Sequence, residues 1–437
     1  MSNGHGEDAI AVRILQELRH CSEGIEFAAL PLVGIGQAYR DCRVPIVGPV
    51  KPMPSGGFIY MDWQQLWQDL RGGLWGLFRA QLNIVRQWAE SGGIILAVGD
   101  IVPLGLAWWS GAAYGFVGTA KSEYYLRNNT GWYSHRPMAR LWDGWSGSVY
   151  LPWERWLMSR SRCQAVFPRD SFTARTLERW PIPVYDLGNP MMDQLQPQEN
   201  IITDRQPAGT SLTLALLPGS RPPEAYENWQ LILQAVQALA EFFLKPTFPV
   251  PSFSEQAELP KSLMFLAAIS SGLNPDPFSQ MLVEQGWWAI QPQPASWNSP
   301  EDRYFEWNGA QLILTQHRFN DCLHRADLAI ALAGTATEQF VGLGKPAIVF
   351  PGRGPQCTYR FVEAQSRMLG ESLILLENPG QVPKAVGDLL SNPDRLHQIA
   401  KNGQQRMGQP GAAARIARCW WEQFGSKSMD STHCGVL

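Results

Sequence analysis

Apolar residues first recur at helical spacing in residues 8–20, where Ile10, Ile14, Leu15 and Leu18 share one face. Short apolar runs at 27–32, 94–98, 113–117, 165–167 and 184–187 read as strands, with helical stretches between several of them, notably 63–89. Residues 194–211 lose this pattern and are rich in Gln, Pro, Thr and Asp, as a linker is. The alternation then restarts with strands at 212–217, 263–268, 310–315, 328–332 and 347–350 and a helix over 229–244. A proline-rich loop is expected at 246–260, and 393–424 is mostly helical with a break at Gln409-Pro410-Gly411. Strands alternating with helices predict parallel α/β sheets. The expected fold class is therefore α/β, with two Rossmann-like domains at 1–193 and 212–424 facing a central cleft, a linker at 194–211 and a loose tail at 425–437.

The first helix follows Gly4-His5-Gly6, the loop of a Rossmann strand–loop–helix opening, but the strand that should precede it is missing before Met1. The expectation is either a start placed too late or a sheet short of one strand.

Composition narrows the class. The 437 residues suit two domains, and 45% hydrophobic with 17% charged residues excludes wholesale disorder. A net charge of -3 gives no footprint for nucleic acid. Seven cysteines without a CxxC pair read as reduced thiols in a cytoplasmic protein. No basic-then-apolar leader follows Met1, and the most apolar window, 94–109, holds Asp100 and Pro103, which makes it a poor membrane span. More than half of the 19 tryptophans lie between Trp63 and Trp156. They fill a core or line a lipid interface. In the latter case Trp63, Leu66, Trp67, Leu70, Leu74, Leu77 and Phe78, with Arg71 and Arg79 beside them, form an amphipathic helix that docks the protein peripherally on the inner face of a membrane.

The strongest chemical signal is the run from Ala326 to Gln339, a buried strand, a small-residue turn and a helix start. Gly334 lets a ligand approach the backbone, and the helix N-terminus presents N–H groups to a diphosphate. Thr335, Ala336 and Thr337 line this turn, with both threonine hydroxyls as donors, while Glu338 or Gln339 reaches ribose hydroxyls. The bland alternative is a tight turn capped by Thr335. A second loop, Pro351 to Gln356, follows the next strand, with Gln356, Tyr359 and Gln365 as polar rim candidates. Gly342-Leu343-Gly344-Lys345-Pro346 is not a P-loop, because proline stands where Ser or Thr would hold magnesium. A third strand-end loop, Leu217-Pro218-Gly219-Ser220-Arg221, offers Gly219 and Ser220 to a phosphate and Arg221 to the charge of a departing diphosphate. No Asp-X-Asp triplet occurs anywhere, so no metal is expected and Arg221 and the helix dipole carry that charge. In the first half, His5 and Asp100 are the candidate bases for an acceptor hydroxyl. Each also has a structural reading, His5 capping a turn and Asp100 capping a helix.

The LPGSR loop, the GTATEQ turn with the following GLGKP, and Gly188-Asn189-Pro190-Met191-Met192-Asp193 resemble lipid-A-disaccharide synthase and its relatives. The likeness is strongest to the cyanobacterial and plastid-lineage group of related proteins, through SNGHGED, Val98-Gly99-Asp100-Ile101-Val102-Pro103 and Gly118-Thr119-Ala120-Lys121-Ser122-Glu123-Tyr124-Tyr125. The resemblance spans essentially the whole chain. It implies a GT-B fold whose final helix returns across the hinge, and inverting transfer of an amino-sugar from a UDP-sugar to a membrane lipid sugar. Asp100 falls where the synthase carries its important aspartate, Arg221 matches the LPGSR arginine, and His5 matches the glycine-loop histidine of the related lipid II enzyme. The synthase has glutamate where this chain has Gln339, with Glu338 one residue earlier.

The expected function is thus an inverting, metal-independent glycosyltransferase, with a UDP-sugar as donor substrate and no cofactor. The sugar would be an N-acetylhexosamine or acylated derivative, and the acceptor a lipid or lipid-linked molecule. Two alternatives stay open: a UDP-sugar 2-epimerase or hydrolase of the same fold, and a non-catalytic nucleotide-sugar-binding protein at a membrane.

Overall fold

The computed structural model describes residues 1–21, 25–50, 74–128, 131–132, 146–198, 211–244, 260–291, 301–425 and 435–436. They fall into two compact units, Met1–Asp193 with Gly408–Leu437, and Gln194–Met407.

The first unit is built on three parallel strands in the order β1 (Ile95–Gly99), β2 (Tyr114–Gly118) and β3 (Cys163–Pro168). Every residue of β1 and β2 is buried, which is why they read as unbroken apolar runs instead of alternating ones. Parallel bridges at Ser2–Val98, Ser2–Pro31, Ala29–Ile46 and Val166–Val184 extend the sheet on both sides. The expected strand at 184–187 is reduced to the single bridge at Val184. Met1 and Ser2 lie between β1 and residues 30–32. The Met1 amine donates to Leu96 O at 2.7 Å, and the N–H groups of Val98 and Leu32 donate to Met1 O and Ser2 O, each at 2.8 Å. Burial lowers that amine to a pKa of about 5.

Five helices of this unit matter for its surfaces: α1 (His5–Cys21), α2 (Leu74–Glu90), α3 (Ile101–Ser110), α4 (Pro152–Met158) and α5 (Ser171–Leu177). The apolar window 94–109 is divided between β1 and α3 at Asp100. Among the described residues no helix is long and apolar enough to cross a membrane.

The second unit carries an eight-stranded sheet. Its strands are β4 (Ser211–Leu217), β5 (Ser262–Ala268), β6 (Trp288–Ile290), β7 (Arg303–Trp307), β8 (Ala310–Thr315), β9 (Leu328–Ala331), β10 (Ala347–Val349) and β11 (Leu373–Leu375). Their spatial order is β11-β10-β9-β4-β5-β8-β7-β6. The first six are parallel, and β7 and β6 add an antiparallel edge that the apolar pattern does not announce. Six helices surround it: α6 (Glu224–Leu244), α7 (Asp276–Glu284), α8 (Phe319–Arg325), α9 (Thr335–Gly342), α10 (Tyr359–Leu369) and α11 (Val382–Leu390), before α12 (Pro393–Met407) closes the unit. Trp229 on α6 is fully buried, and its indole N–H donates to Phe278 O at 3.2 Å, so part of the tryptophan excess is ordinary core.

The next helix, α13 (Ala412–Trp420), belongs to the first unit, where it packs on α1. The spatial boundary therefore lies after Met407 and not at 424, because residues 188–193 hold α13. The Asp193 carboxylate accepts N–H groups of Ala412 at 3.1 Å and Ala413 at 2.6 Å, and Arg415 Nε donates to Leu187 O at 2.9 Å. Thus GNPMMD is a fastening for the returning helix.

Candidate functional site

In the second unit, β4, β9 and β10 are neighbours, so the loops after them emerge side by side at the C-terminal edge of the sheet. That edge is where open α/β sheets bind ligands. Gly219, at φ +103°, turns the first loop so closely over the second that a Cβ there would stand 3.2 Å from Leu332 O. A Cβ on Gly334 would stand 3.3 Å from Gln356 Oε1, which joins the second loop to the third. Gln365 Nε2 donates to Gly334 O at 3.2 Å from beneath.

One side chain stitches the outer two loops. Asn228, buried on α6, donates from Nδ2 to Pro218 O at 3.4 Å and Arg353 O at 3.2 Å, and its Oδ1 accepts the Arg353 N–H at 2.7 Å. The Cys357 thiol donates to Leu332 O at 3.3 Å and closes the ring of contacts. Gly334 is the N-cap of α9, and no side chain caps that helix. Its first-turn N–H groups have no carbonyl partner within the helix, so a partial positive charge stands at the centre of the three loops.

Helical geometry then sorts the motif residues. Thr335 is exposed and Ala336 and Glu338 are half-buried, whereas Thr337 and Gln339 are buried. The Thr337 hydroxyl donates to Ala333 O at 2.5 Å, so it is spent on the turn and is not the extra donor expected of it. Ser220 is exposed and Arg221 half-buried at the first loop, whose Arg221 carbonyl starts α6 by accepting the Ala225 N–H at 2.8 Å. Gln356 is half-buried beside Gly334, Tyr359 is exposed, and Gln365 is buried.

In the first unit, α1 begins at the C-terminal end of β1. His5 opens that helix, and its side chain lies outside the described residues. Asp100, immediately after β1, caps α3 by accepting the Val102 N–H at 2.9 Å. Burial pushes its carboxyl up to about 6; Glu154 adds to the rise, while the Val102 bond, the Lys121 charge and a bond from Asn3 oppose it. Lys121 is itself paired with the buried Glu154 at 2.5 Å. Glu7, in the first turn of α1, lies over the same strand end. Its Cγ would be 3.5 Å from a Cβ on Gly99, and Thr119 Oγ1 donates to its carboxylate at 3.4 Å. Burial pushes Glu7 up to about 7, with the charges of Asp100 and Asp8 adding to the rise. The neighbouring Asp8 is a core group, bonded to the Ser2 hydroxyl, which also meets the Tyr39 hydroxyl. Two carboxyls that titrate near neutrality thus share one strand end, a setting suited to acid–base work.

No family model matches the sequence, and no curated protein matches it by sequence. Solved structures match along nearly its whole length. A UDP-N-acetylglucosamine 2-epimerase, so titled as putative, from Listeria monocytogenes is 16% identical with a TM-score of 0.53, over 99% of this chain and 98% of its own. The calicheamicin glycosyltransferase CalG4 is 13% identical with a TM-score of 0.53, over 97% of each chain. MurG of Acinetobacter baumannii is 12% identical with a TM-score of 0.51, over 96% and 97%. The chain has the GT-B fold.

Within this GT-B chain one motif residue, Lys345, takes a role that local sequence does not reveal. Lys345 of GLGKP donates to Leu323 O at 2.8 Å, His324 O at 2.5 Å and Ala326 O at 2.7 Å, closing the C-terminal end of α8 on the side of the sheet where β10 begins. Asn228 was not among the expected site residues, whereas Glu7 stands with His5, Asp8 and Asp100 among the few acid–base residues that the N-terminal half offers to the epimerase alternative. For Asn228 the available signal is a polar residue inside the buried stripe of α6, between Ala225 and Trp229.

Proposed function

We propose that this GT-B protein is an inverting glycosyltransferase that uses a UDP-sugar and needs no metal for the diphosphate. The observation that carries the reading is the convergence of Gly219, Gly334 and Gln356 around the uncapped start of α9. Backbone N–H groups and a helix dipole suit a diphosphate, and Glu338, half-buried on α9 where Gln339 is buried, is the proposed partner of the ribose hydroxyls. Arg221 answers the charge that develops as UDP departs. Asp100 takes the proton from the acceptor hydroxyl, the acceptor oxygen bonds to the anomeric carbon, and the bond to the diphosphate breaks with its electron pair leaving on UDP. His5 remains a candidate for the same proton. An N-acetylhexosamine or an acylated derivative is the proposed sugar, and a lipid or lipid-linked molecule the proposed acceptor, which places the enzyme at a membrane surface.

A second reading has support from Glu7. Two carboxyls at one strand end also suit removal and return of a proton on the sugar itself, the chemistry of a UDP-sugar 2-epimerase or hydrolase. UDP release separates the readings. A transferase releases UDP from UDP-N-acetylglucosamine only when a lipid acceptor is added, whereas turnover without acceptor supports the second. UDP binding with no turnover under either condition leaves a nucleotide-sugar-binding protein.

A further inference from the structure

Tryptophan side chains are concentrated on α3 and α4 of the first unit. Trp109, Trp153 and Trp156 are 50%, 55% and 44% exposed, although a large aromatic gains by burial. Their rings form a continuous chain with partly buried neighbours. Phe78 meets Trp109 at 5.8 Å between centroids, Trp109 meets Trp108 at 6.2 Å, and Trp108 meets Trp156 at 5.2 Å. Trp153 stands one turn before Trp156 on α4. Trp108 and Phe78 pack inward against the core, so the exposed rings rest on a rigid base.

Arginines frame this strip. Arg86 Nε donates to Trp109 O at 3.4 Å, Arg162 donates to Trp108 O at 3.0 Å, and Arg160 lies over the Trp156 ring at 4.3 Å. Arg79 and Arg86 are exposed on α2, where Glu90 is the one acidic residue. On α3 and α4 the acids are Asp100, the N-cap of α3, and Glu154, buried with Lys121, so neither offsets the arginines at this surface. Indole rings with arginines and little negative charge match the boundary between anionic headgroups and acyl chains.

We propose that this strip, from Phe78 through Trp109 to Trp153 and Trp156, is a docking surface for an anionic lipid bilayer. The amphipathic pattern expected at 63–78 lies mostly outside the described residues, but its end, Phe78, belongs to this surface. The inference rests on the membrane contact of the proposed function and gives it a place, but it is carried by separate side chains, and its vesicle-binding readout needs neither donor nor acceptor.

The full chain is mixed with phosphatidylcholine vesicles with and without phosphatidylglycerol, and pelleting and tryptophan emission are recorded. Expected are binding to the anionic vesicles with a blue shift, weakening at high salt, a loss of roughly fivefold for each of Arg86→Gln and Arg160→Gln, and a loss of roughly tenfold or more for Trp109→Ser with Trp156→Ser. UDP affinity is measured on each variant as the check on folding, and if the double variant does not fold, the arginine variants decide. Binding that ignores these substitutions, or no binding to anionic vesicles, overturns the proposal. So does concentration-dependent self-association of the wild type that the tryptophan variants abolish, because the strip would then be a protein interface. Loss of vesicle binding with UDP turnover intact supports the docking surface, while vesicle binding without any turnover rejects the enzymatic reading and keeps this one.

Discussion

The Asp193 carboxylate accepts the N–H of Ala413 at 2.6 Å across 220 positions of sequence, and that of Ala412 at 3.1 Å. A charged oxygen at a helix N-terminus satisfies N–H groups that have no partner in the helix and meets the positive end of its dipole. Asp193→Ala should lower the stability of the first unit by about 2 kcal/mol, and Asp193→Asn by less. Denaturant unfolding checks this; an unchanged midpoint for Asp193→Ala would show that α13 is held by packing on α1 alone.

Asn228 ties together the loops after β4 and β10 without facing solvent. Removing its amide leaves the Arg353 N–H without its side-chain acceptor and unties the Pro218 and Arg353 loops. Asn228→Ala should therefore weaken UDP binding roughly tenfold, about 1.4 kcal/mol, while the helix signal of the chain stays the same. Titration calorimetry with UDP is the measurement, and affinity equal to wild type would mean that the loops hold their places without this residue.

The two faces of α9 should part cleanly. Glu338→Ala, on the accessible side, is expected to weaken UDP-sugar binding with little change in melting temperature. Gln339→Ala, on the buried side, is expected to lower the melting temperature, because it empties space in the packed interior. The opposite pattern would move the ribose contact back to Gln339, where the family resemblance first suggested it.

What could be read from the chain follows from burial. Strands such as β1, β2 and β9 are buried along their whole length because both faces are covered, so a short apolar run announces each one. β7, with the sequence RYFEW, carries charge near the sheet edge and has no such run; β6 is only three residues long. Gly219 and Gly334 were legible as tight turns because loops that approach one another this closely demand small residues at strand ends. Asp193, Asn228 and Lys345 were not, since each acts on backbone groups far away in sequence or around a corner of the fold, and a single Asp, Asn or Lys has no local mark of such a partner. The Thr337 hydroxyl was misassigned as a free donor for a simpler reason: a turn motif gives the residues at a helix start but not which of them the helix rotates inward.

The pair at the end of β1 sets a pH dependence with a definite sign. Glu7 and Asp100 are raised to about 7 and about 6 from ordinary carboxyl values of 4.5 and 3.8, chiefly by burial. Between pH 4 and 7 the folded chain therefore holds protons that the unfolded chain has released. Stability contributed by these groups is fully present below the unfolded values and is lost as pH rises through the folded ones. Glu7→Gln removes one titrating group, so its melting temperature should fall less between pH 5 and 8 than that of wild type. If Asp100 is the base for transfer, the acidic limb of the rate profile, which rises as the carboxyl loses its proton, should lie near pH 6 and stay there in Glu7→Gln, because Glu7 still holds its proton where Asp100 ionises, and Asp100→Asn should remove transfer while UDP still binds. A melting profile of Glu7→Gln identical to wild type would show that burial does not hold the proton on Glu7, and transfer by Asp100→Asn at the wild-type rate would pass the role of base to His5.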